Sequence, residues 1–397
     1  MAMTDTIIRL AARGDGVTAS GAFFARTVPG DSVAADGSVT RGPDHIDPAC
    51  RHFGTCGGCQ LQHVSDGAYA RYMIDRIGEA LHAQGLPTPE IRTPYLSPPA
   101  TRRRAAFTAE RKGKLVRLGF NEAGSHQLVD ISACPVLAPR LFALTGPLRG
   151  FLRDVMKERK RVSVRMTLAD QGIDLMIGGV EAEGLAAIEA MTSFAQKHKL
   201  ARLTVDGGYG PSTRWEPEPV TITLGGVAVA LPEGAFLQAT ADGEAALVRA
   251  VAEAIGDTDE TVDLFAGLGT FAFALLGKVH AVEGARDALL ALHASAKRAE
   301  RPVSVEHRDL FRRPLTSQEL NRFGGVAIDP PRAGAKEQIV EIAASNVARI
   351  ASVSCNPATF ARDAKMLCDG GYRLDWIQPV GQFRWSTHTE LAAQFSR

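Results

Sequence analysis

T-V-D-L-F-A-G-L-G-T, from Thr261 to Thr270, begins as a short apolar run and ends in a glycine turn. Further segments repeat the plan of a short strand followed by a helical stretch: K-V-H-A-V-E-G (Lys278 to Gly284), V-S-V-E-H-R-D-L (Val303 to Leu310), G-V-A-I-D-P-P (Gly325 to Pro331) and R-I-A-S-V-S-C (Arg349 to Cys355). Strands alternating with helices predict a parallel α/β sheet. Such sheets bind ligands beyond the carboxyl ends of their strands. This chain puts its polar residues at those ends: Asp263, Glu283, Asp309, Asp329 and Cys355.

The residue types suit a nucleoside-bearing cofactor. Gly267 and Gly269 let the backbone turn sharply and approach a ligand with no Cβ in the way. Glu283 closes the second strand, where a carboxylate takes both hydroxyls of a ribose, and Asp309 can accept from an adenine amino group. G-L-G-T-F-A also satisfies the loose dinucleotide pattern, but no hydride-transfer apparatus accompanies it. In D-P-P-R (Asp329 to Arg332) the second proline stiffens a loop that presents Asp329 at the rim. Cys355 puts a thiol at the mouth of the same pocket. Cys368, on the following helix, is expected in the core.

Outward from this domain (238–397) the chain divides twice more. Residues 4–45 alternate apolar and polar between G-D-G, P-G-D and D-G turns, which predicts about five short strands in a small β-barrel over 1–48. The central segment, 49–237, holds strand-like runs V-S-V-R-M-T-L, I-D-L-M-I, A-R-L-T-V and V-T-I-T-L, expected to be antiparallel. Asp242 is the expected cap of the helix that opens the last domain. At 45% hydrophobic and 22% charged residues the 397-residue chain can bury a real core. No apolar run is long enough to span a membrane, and Met1 to Leu10 does not read as a secretion signal. A cytoplasmic monomer is the expectation.

Net charge is only +1, so partners must be sought in local charge. Arg102, Arg103, Arg104, Arg111, Lys112, Lys114 and Arg117 form one basic stripe, and Lys157, Arg159, Lys160, Arg161 and Arg165 a second. Such stripes neutralise phosphates in a chain that is near neutral overall. Cys50, Cys56 and Cys59 lie in C-R-H-F-G-T-C-G-G-C, with Cys134 far downstream. Disulfides are not expected in the cytosol; four thiolates suit either a tetrahedral zinc or a [4Fe–4S] cluster.

D-L-F-A-G-L-G-T, I-D-P-P-R-A-G, V-S-C-N-P-A-T-F-A-R-D (Val353 to Asp363) and the terminal T-H-T-E (Thr387 to Glu390) resemble the RNA 5-methyluridine methyltransferase family, over Cys50 to Glu390. The similarity is greatest to the iron–sulfur 23S rRNA (uracil-5-)-methyltransferases, which share the four-cysteine pattern. The resemblance implies a class I, Rossmann-like domain binding S-adenosylmethionine, a central α+β domain whose Cys50, Cys56, Cys59 and Cys134 hold a [4Fe–4S] cluster, and an N-terminal TRAM-like RNA-binding barrel. It implies Cys355 as nucleophile and Glu390 as base. Gln238, Asp263, Phe265, Gly267, Gly269, Glu283, Asp309 and Asp329 are then expected around the cofactor, with Gln238 (in G-A-F-L-Q-A-T) and Asp329 also beside the target base. RNA is the implied partner, ribosomal RNA ahead of tRNA. Two stretches depart from the family: A-L-H-A-S-A-K-R-A-E replaces an asparagine-bearing helix, and F-R-W-S lacks a proline after Phe383.

Overall fold

Val262, Leu264, Val282, Val326, Ile328, Ile350 and Val353 are buried on both faces of one sheet, as a parallel sheet between helices demands. In this computed structural model, which describes residues 5–181 and 184–397, that sheet has nine strands. Met1–Thr4, at the head of the expected N-terminal module, lie outside the described residues. Parallel strands run in the order Val303–His307, Lys278–Glu283, Glu260–Leu264, Gly325–Ile328, Arg349–Ser354. The last strand, Glu390–Ser396, then inserts antiparallel between Arg349–Ser354 and Arg373–Gly381. The α/β fold expected for this region is present, and the order reverses beside Glu260–Leu264, where such sheets bind ligands.

The helix Asp66–Ala83 buries Tyr69, Tyr72, Met73, Ile77 and Leu81 along one stripe and is capped by Ser65. It packs on the helix Pro357–Asp369. Glu90–Ile91 and Tyr95–Leu96 pair in parallel with Arg373–Gly381. Residues between the cysteine loop and the first basic stripe are thus built into the C-terminal sheet.

Five short strands between Asp5 and Thr40 form an antiparallel sheet, matching the strand number expected at the N-terminus. Leu10 and Val28 join a core with Tyr69, Tyr72 and Met73, and the Tyr72 hydroxyl donates to Ala12 O at 3.1 Å.

Seven strands form the central sheet. Ile173–Gly178 and Leu200–Asp206 pair in parallel, not antiparallel as expected, because the helix Leu185–Lys197 crosses between them. V-T-I-T-L leaves this sheet altogether. Thr221–Leu224 forms a hairpin with Val227–Ala230, and Ile222, Leu224 and Val229 join the core of the C-terminal domain. Asp242 is not a cap. Thr240 takes that place, accepting from Gly243 N at 3.0 Å, while Asp242 lies within the first turn.

Candidate active site

Ser354 and Leu391 are register partners across the antiparallel pair, so Cys355 and Glu390 are the next opposed positions. The chain leaves its strand at Cys355, and Asn356 at once caps the helix Pro357–Asp369 by accepting from Ala358 N at 3.1 Å. Pro357 sits in the first turn, where it sacrifices no helical hydrogen bond. The thiol is thereby fixed at a strand-to-helix corner, half-buried.

Glu390 is buried, and the amide of Gln382 donates to its Oε2. The same Gln382 amide donates to Gln238 Oε1 at 2.7 Å, and Gln382 Oε1 accepts from Ala239 N at 2.7 Å. Gln238 in turn donates to Asp329 Oδ2 at 3.2 Å. A buried polar chain therefore runs Glu390, Gln382, Gln238, Asp329. It joins residues from the last strand, from the entry to the helix Ala241–Ile255 and from the D-P-P loop. Gln382 is the member that sequence reading missed. Its signal was its position: Val380 pairs with Glu390, and Gln382 lies two residues further along an extended segment.

Burial pushes Glu390 up to about 8, helped by the charge of Asp329 and opposed by the Gln382 hydrogen bond. Asp329 is pushed up to about 7 by burial, against the Gln238 bond. Burial, then Glu390 and Asp329, raise the Cys355 thiol, while Arg332 pulls it down. Two carboxyls with raised proton affinities in one desolvated corner suit acid–base chemistry, while the same burial disfavours the Cys355 thiolate, so the thiol must lose its proton before it can attack.

The cofactor-side residues divide into a rim and a floor. Glu283 accepts from Gly267 N at 2.8 Å and Ala285 N at 2.6 Å, which orients its carboxylate across the glycine turn. A Cβ on Gly267 would meet open space, but its φ of +56° favours glycine. Gly269, with a φ of +93°, is also closely packed: a Cβ there would strike the Phe273 ring at 2.7 Å. Asp309 accepts from Phe311 N at 3.0 Å, and the Phe311 ring packs on Phe265 with centroids 5.3 Å apart. Phe265 itself holds a φ of +62°, a strained backbone for a bulky residue.

Asp263 is the floor. It is fully buried, and neither carboxylate oxygen has a hydrogen-bond partner of good geometry, although the Ala272 N–H lies near enough to ease its shift. Burial first, then Asp329, hold it well above the usual carboxylate range. An orphaned buried carboxyl at the carboxyl end of a strand fits a cationic ligand such as S-adenosylmethionine, whose ammonium and sulfonium groups carry positive charge.

Cys50, Cys56, Cys59 and Cys134 line one cavity of about 380 Å³. Burial, opposed by a hydrogen bond to Gln62 and reinforced by the other three thiols, pushes Cys59 up to about 12. Among the described residues, no group of three or more His, Cys, Asp or Glu side chains is already gathered tightly enough to hold a metal ion. The cavity wall also contains Phe383, Arg384, Ser386 and His388, from the loop that leads to Glu390. Gln60 N and Leu61 N donate to Trp385 O at 2.8 and 2.9 Å, so the cysteine loop is pinned directly to that loop. Arg384, where the family has proline, donates to Ser97 O at 3.1 Å and pairs with Asp66 at 2.5 Å. The departure from the family pattern is thus a tether onto the helix Asp66–Ala83. Cys368 is partly buried against the core, as expected.

The strand order, the glycine turn and the charged strand ends define an S-adenosylmethionine-dependent methyltransferase. The family described as tRNA (Uracil-5-)-methyltransferase matches residues 299–397. An "Uncharacterized RNA methyltransferase" of Zymomonas mobilis is 52% identical over 98% of this chain and 99% of its own. The 23S rRNA (uracil(1939)-C(5))-methyltransferase RlmD of Chromohalobacter salexigens is 32% identical, over 89% of this chain and 77% of its own. In structure, the tRNA (uracil-54, C5)-methyltransferase of Pyrococcus abyssi, solved with S-adenosyl-L-homocysteine, superposes with a TM-score of 0.75 at 20% identity, covering 99% of this chain and all of that one. This chain belongs to the RNA (uracil-5-)-methyltransferase family.

Proposed function

We propose that this protein methylates carbon 5 of a uridine in 23S ribosomal RNA through a covalent adduct between Cys355 Sγ and carbon 6, with Glu390 removing the carbon-5 proton. The observation that supports this most is the placement of Glu390 opposite Cys355 across paired strands, in a buried corner that raises its proton affinity.

Carbon 5 of uracil is a poor nucleophile. Addition of the Cys355 thiolate to carbon 6 forms a C–S bond and moves the ring π electrons into an enolate, whose carbon 5 then takes the methyl group. S-adenosylmethionine, when bound, supplies that electrophilic methyl. Asp263, Gly267, Glu283 and Asp309 are the residues that would hold it. Carbon 5 then carries both a methyl and a proton. Glu390 takes the proton, the electrons restore the ring double bond, and the C–S bond breaks to release free enzyme. A carboxylate raised to about 8 is a stronger base than an ordinary glutamate. Asp329 and Gln238 lie beside this corner, where an ionised Asp329 accepts from the imide N–H that cytosine lacks. Extruding the uridine from its stack costs a few kcal/mol, which the half-buried Phe265 ring and RNA contacts elsewhere offset.

Four cysteines lining one cavity larger than a single ion needs favour a [4Fe–4S] cluster over zinc. The hydrogen bonds by which Gln60 and Leu61 pin the cysteine loop to the loop before Glu390 favour a structural role for the cluster. The four-cysteine pattern and the similarity to an enzyme named for 23S rRNA favour ribosomal RNA; methylation of rRNA fragments against tRNA transcripts separates the two substrates.

RNA containing 5-fluorouridine tests the chemistry, because fluorine cannot leave as a proton does. Wild type is expected to form an adduct that survives denaturation, and Cys355→Ala to form none. No adduct with wild type, or an adduct with Cys355→Ala, refutes the covalent scheme.

A further inference from the structure

The two helices Pro139–Val155 and Leu185–Lys197 pack on one face of the central sheet, burying Phe107, Val164, Met166 and Leu175 among others. No described helix packs on the other face. Its middle strands present the exposed Ala106 and Ser163 and the partly exposed Gly178 beside the exposed Arg161 and Arg165. At its end nearest the active site the face dips into a cleft of about 190 Å³, bounded by Arg102, Arg104 and Arg165 on the sheet side and by Gly234 and Ala235 opposite.

Among the described residues, Arg104 and Arg165 have no carboxylate partner, whereas Arg102 also lines the cysteine cavity and faces Cys134 and Cys59. The carboxylate in the cleft wall, Asp174, is already held by Arg202 through bonds of 2.9 and 2.7 Å. Arg102 and Arg104 donate only to main-chain carbonyls, of Arg104 and Leu237 respectively. Arg165 is exposed, and among the described residues it has no hydrogen-bond or ion-pair partner. Burial, then Arg102, Arg103 and Arg165, hold the Arg104 guanidinium below its usual value. The opposite wall runs on through Leu237 into Gln238, which touches Asp329, so an anion bound here is beside the reacting corner.

We propose that this cleft is a backbone subsite for RNA: Arg104 and Arg165 bind phosphodiester oxygens of the strand that leads to the extruded uridine, while the open sheet face carries the chain away. The proposal rests on the RNA-methylating reading above. Guanidinium groups recognise phosphate oxygens through paired N–H donors, and phosphate contacts of this kind set register without reading sequence.

Binding of a fluorescein-labelled, uridine-containing RNA hairpin, measured by anisotropy across a salt series, tests it. Arg165→Gln is the variant, because the side chain is exposed and unpartnered. Lys197→Gln, on the helix-covered side of the same sheet, is the control of equal charge change. Arg165→Gln is expected to weaken binding several-fold and to lower the slope of log K against log salt by about 0.7, the value for one lost single-strand phosphate contact. Lys197→Gln is expected to change neither, and both variants to bind S-adenosylmethionine as wild type does. Wild-type affinity and slope in Arg165→Gln, or an equal loss in both variants, overturns the subsite. If the slope falls as expected while no 5-methyluridine forms with any RNA, the subsite stands and the catalytic reading fails; if methylation proceeds and Arg165→Gln is indistinguishable from wild type, the reverse holds.

Discussion

Replacing Gln382 with leucine removes the link between the base and the residues beside the substrate at little change in volume. Gln382 is 1% exposed, so its three hydrogen bonds have no water to replace them. The bond to Glu390 favours the charged carboxylate. A hydrogen bond to a charged group is worth about 1.5–3 kcal/mol, and one pKa unit corresponds to about 1.4 kcal/mol. Its loss therefore raises the Glu390 value by about one to two units above the present value near 8. Glu390 acts as a base only when ionised, so the rate of carbon-5 proton loss rises with pH through that value, and the variant's profile moves toward higher pH. Release of tritium from RNA labelled at carbon 5 of uridine measures this step directly. Around neutral pH the variant is expected to be slower by about 10- to 100-fold, with the deficit shrinking as pH rises. Ala239 N also loses its acceptor, costing about 1–3 kcal/mol of stability. Adduct formation with 5-fluorouridine RNA is expected to persist, because no contact to Cys355 is removed. A profile midpoint that stays in place, or moves to lower pH, refutes the reasoning.

Two further outcomes follow from other buried groups. Prepared without oxygen, the protein is expected to be brown and to contain iron and sulfide, and Cys59→Ala to lose both colour and thermal stability; a colourless, zinc-loaded wild type overturns the cluster assignment. Asp329 has its ordinary value of 3.8 raised to about 7 by burial, so between those values the unfolded chain is ionised there while the folded chain is not. Folding then binds a proton, and the Asp329 contribution to stability falls as pH rises through that window and levels off above it. Asp329→Asn removes this contribution. Its melting temperature relative to wild type is expected to climb from about pH 4 to about pH 7, and a difference constant across that range rules out the buried-acid account.

Local patterning explains what could be read from the chain alone. The five strands of the parallel sheet announce themselves because each is a short apolar run between a helix and a charged end, and a strand's end fixes where its last side chain goes. Cys355, Glu283, Asp309 and Asp263 were accordingly legible as a group at the sheet's carboxyl edge. The antiparallel reading of Ile173–Gly178 and Leu200–Asp206 failed because period-two alternation says nothing about strand direction; the helix between them decides that. Thr240 displaced Asp242 as the cap because helix starts are set by the fold of the preceding loop, here held by Ser97, which lies 3.0 Å from the Thr240 hydroxyl.

The sequence by itself determined the α/β domain, the thiol at its strand end, the glycine turn and the set of four cysteines, since each depends on residues close together in the chain or on residue type. Only the tertiary structure decided that Glu390 stands opposite Cys355, that Gln382 joins Glu390 to Gln238 and Asp329, that Asp263 is buried without a well-formed hydrogen bond among the described residues, and that Arg104 and Arg165 face one cleft. Those relations depend on strand insertion and on contacts between residues far apart in sequence, and burial at such junctions is what shifts the proton affinities on which the chemistry depends.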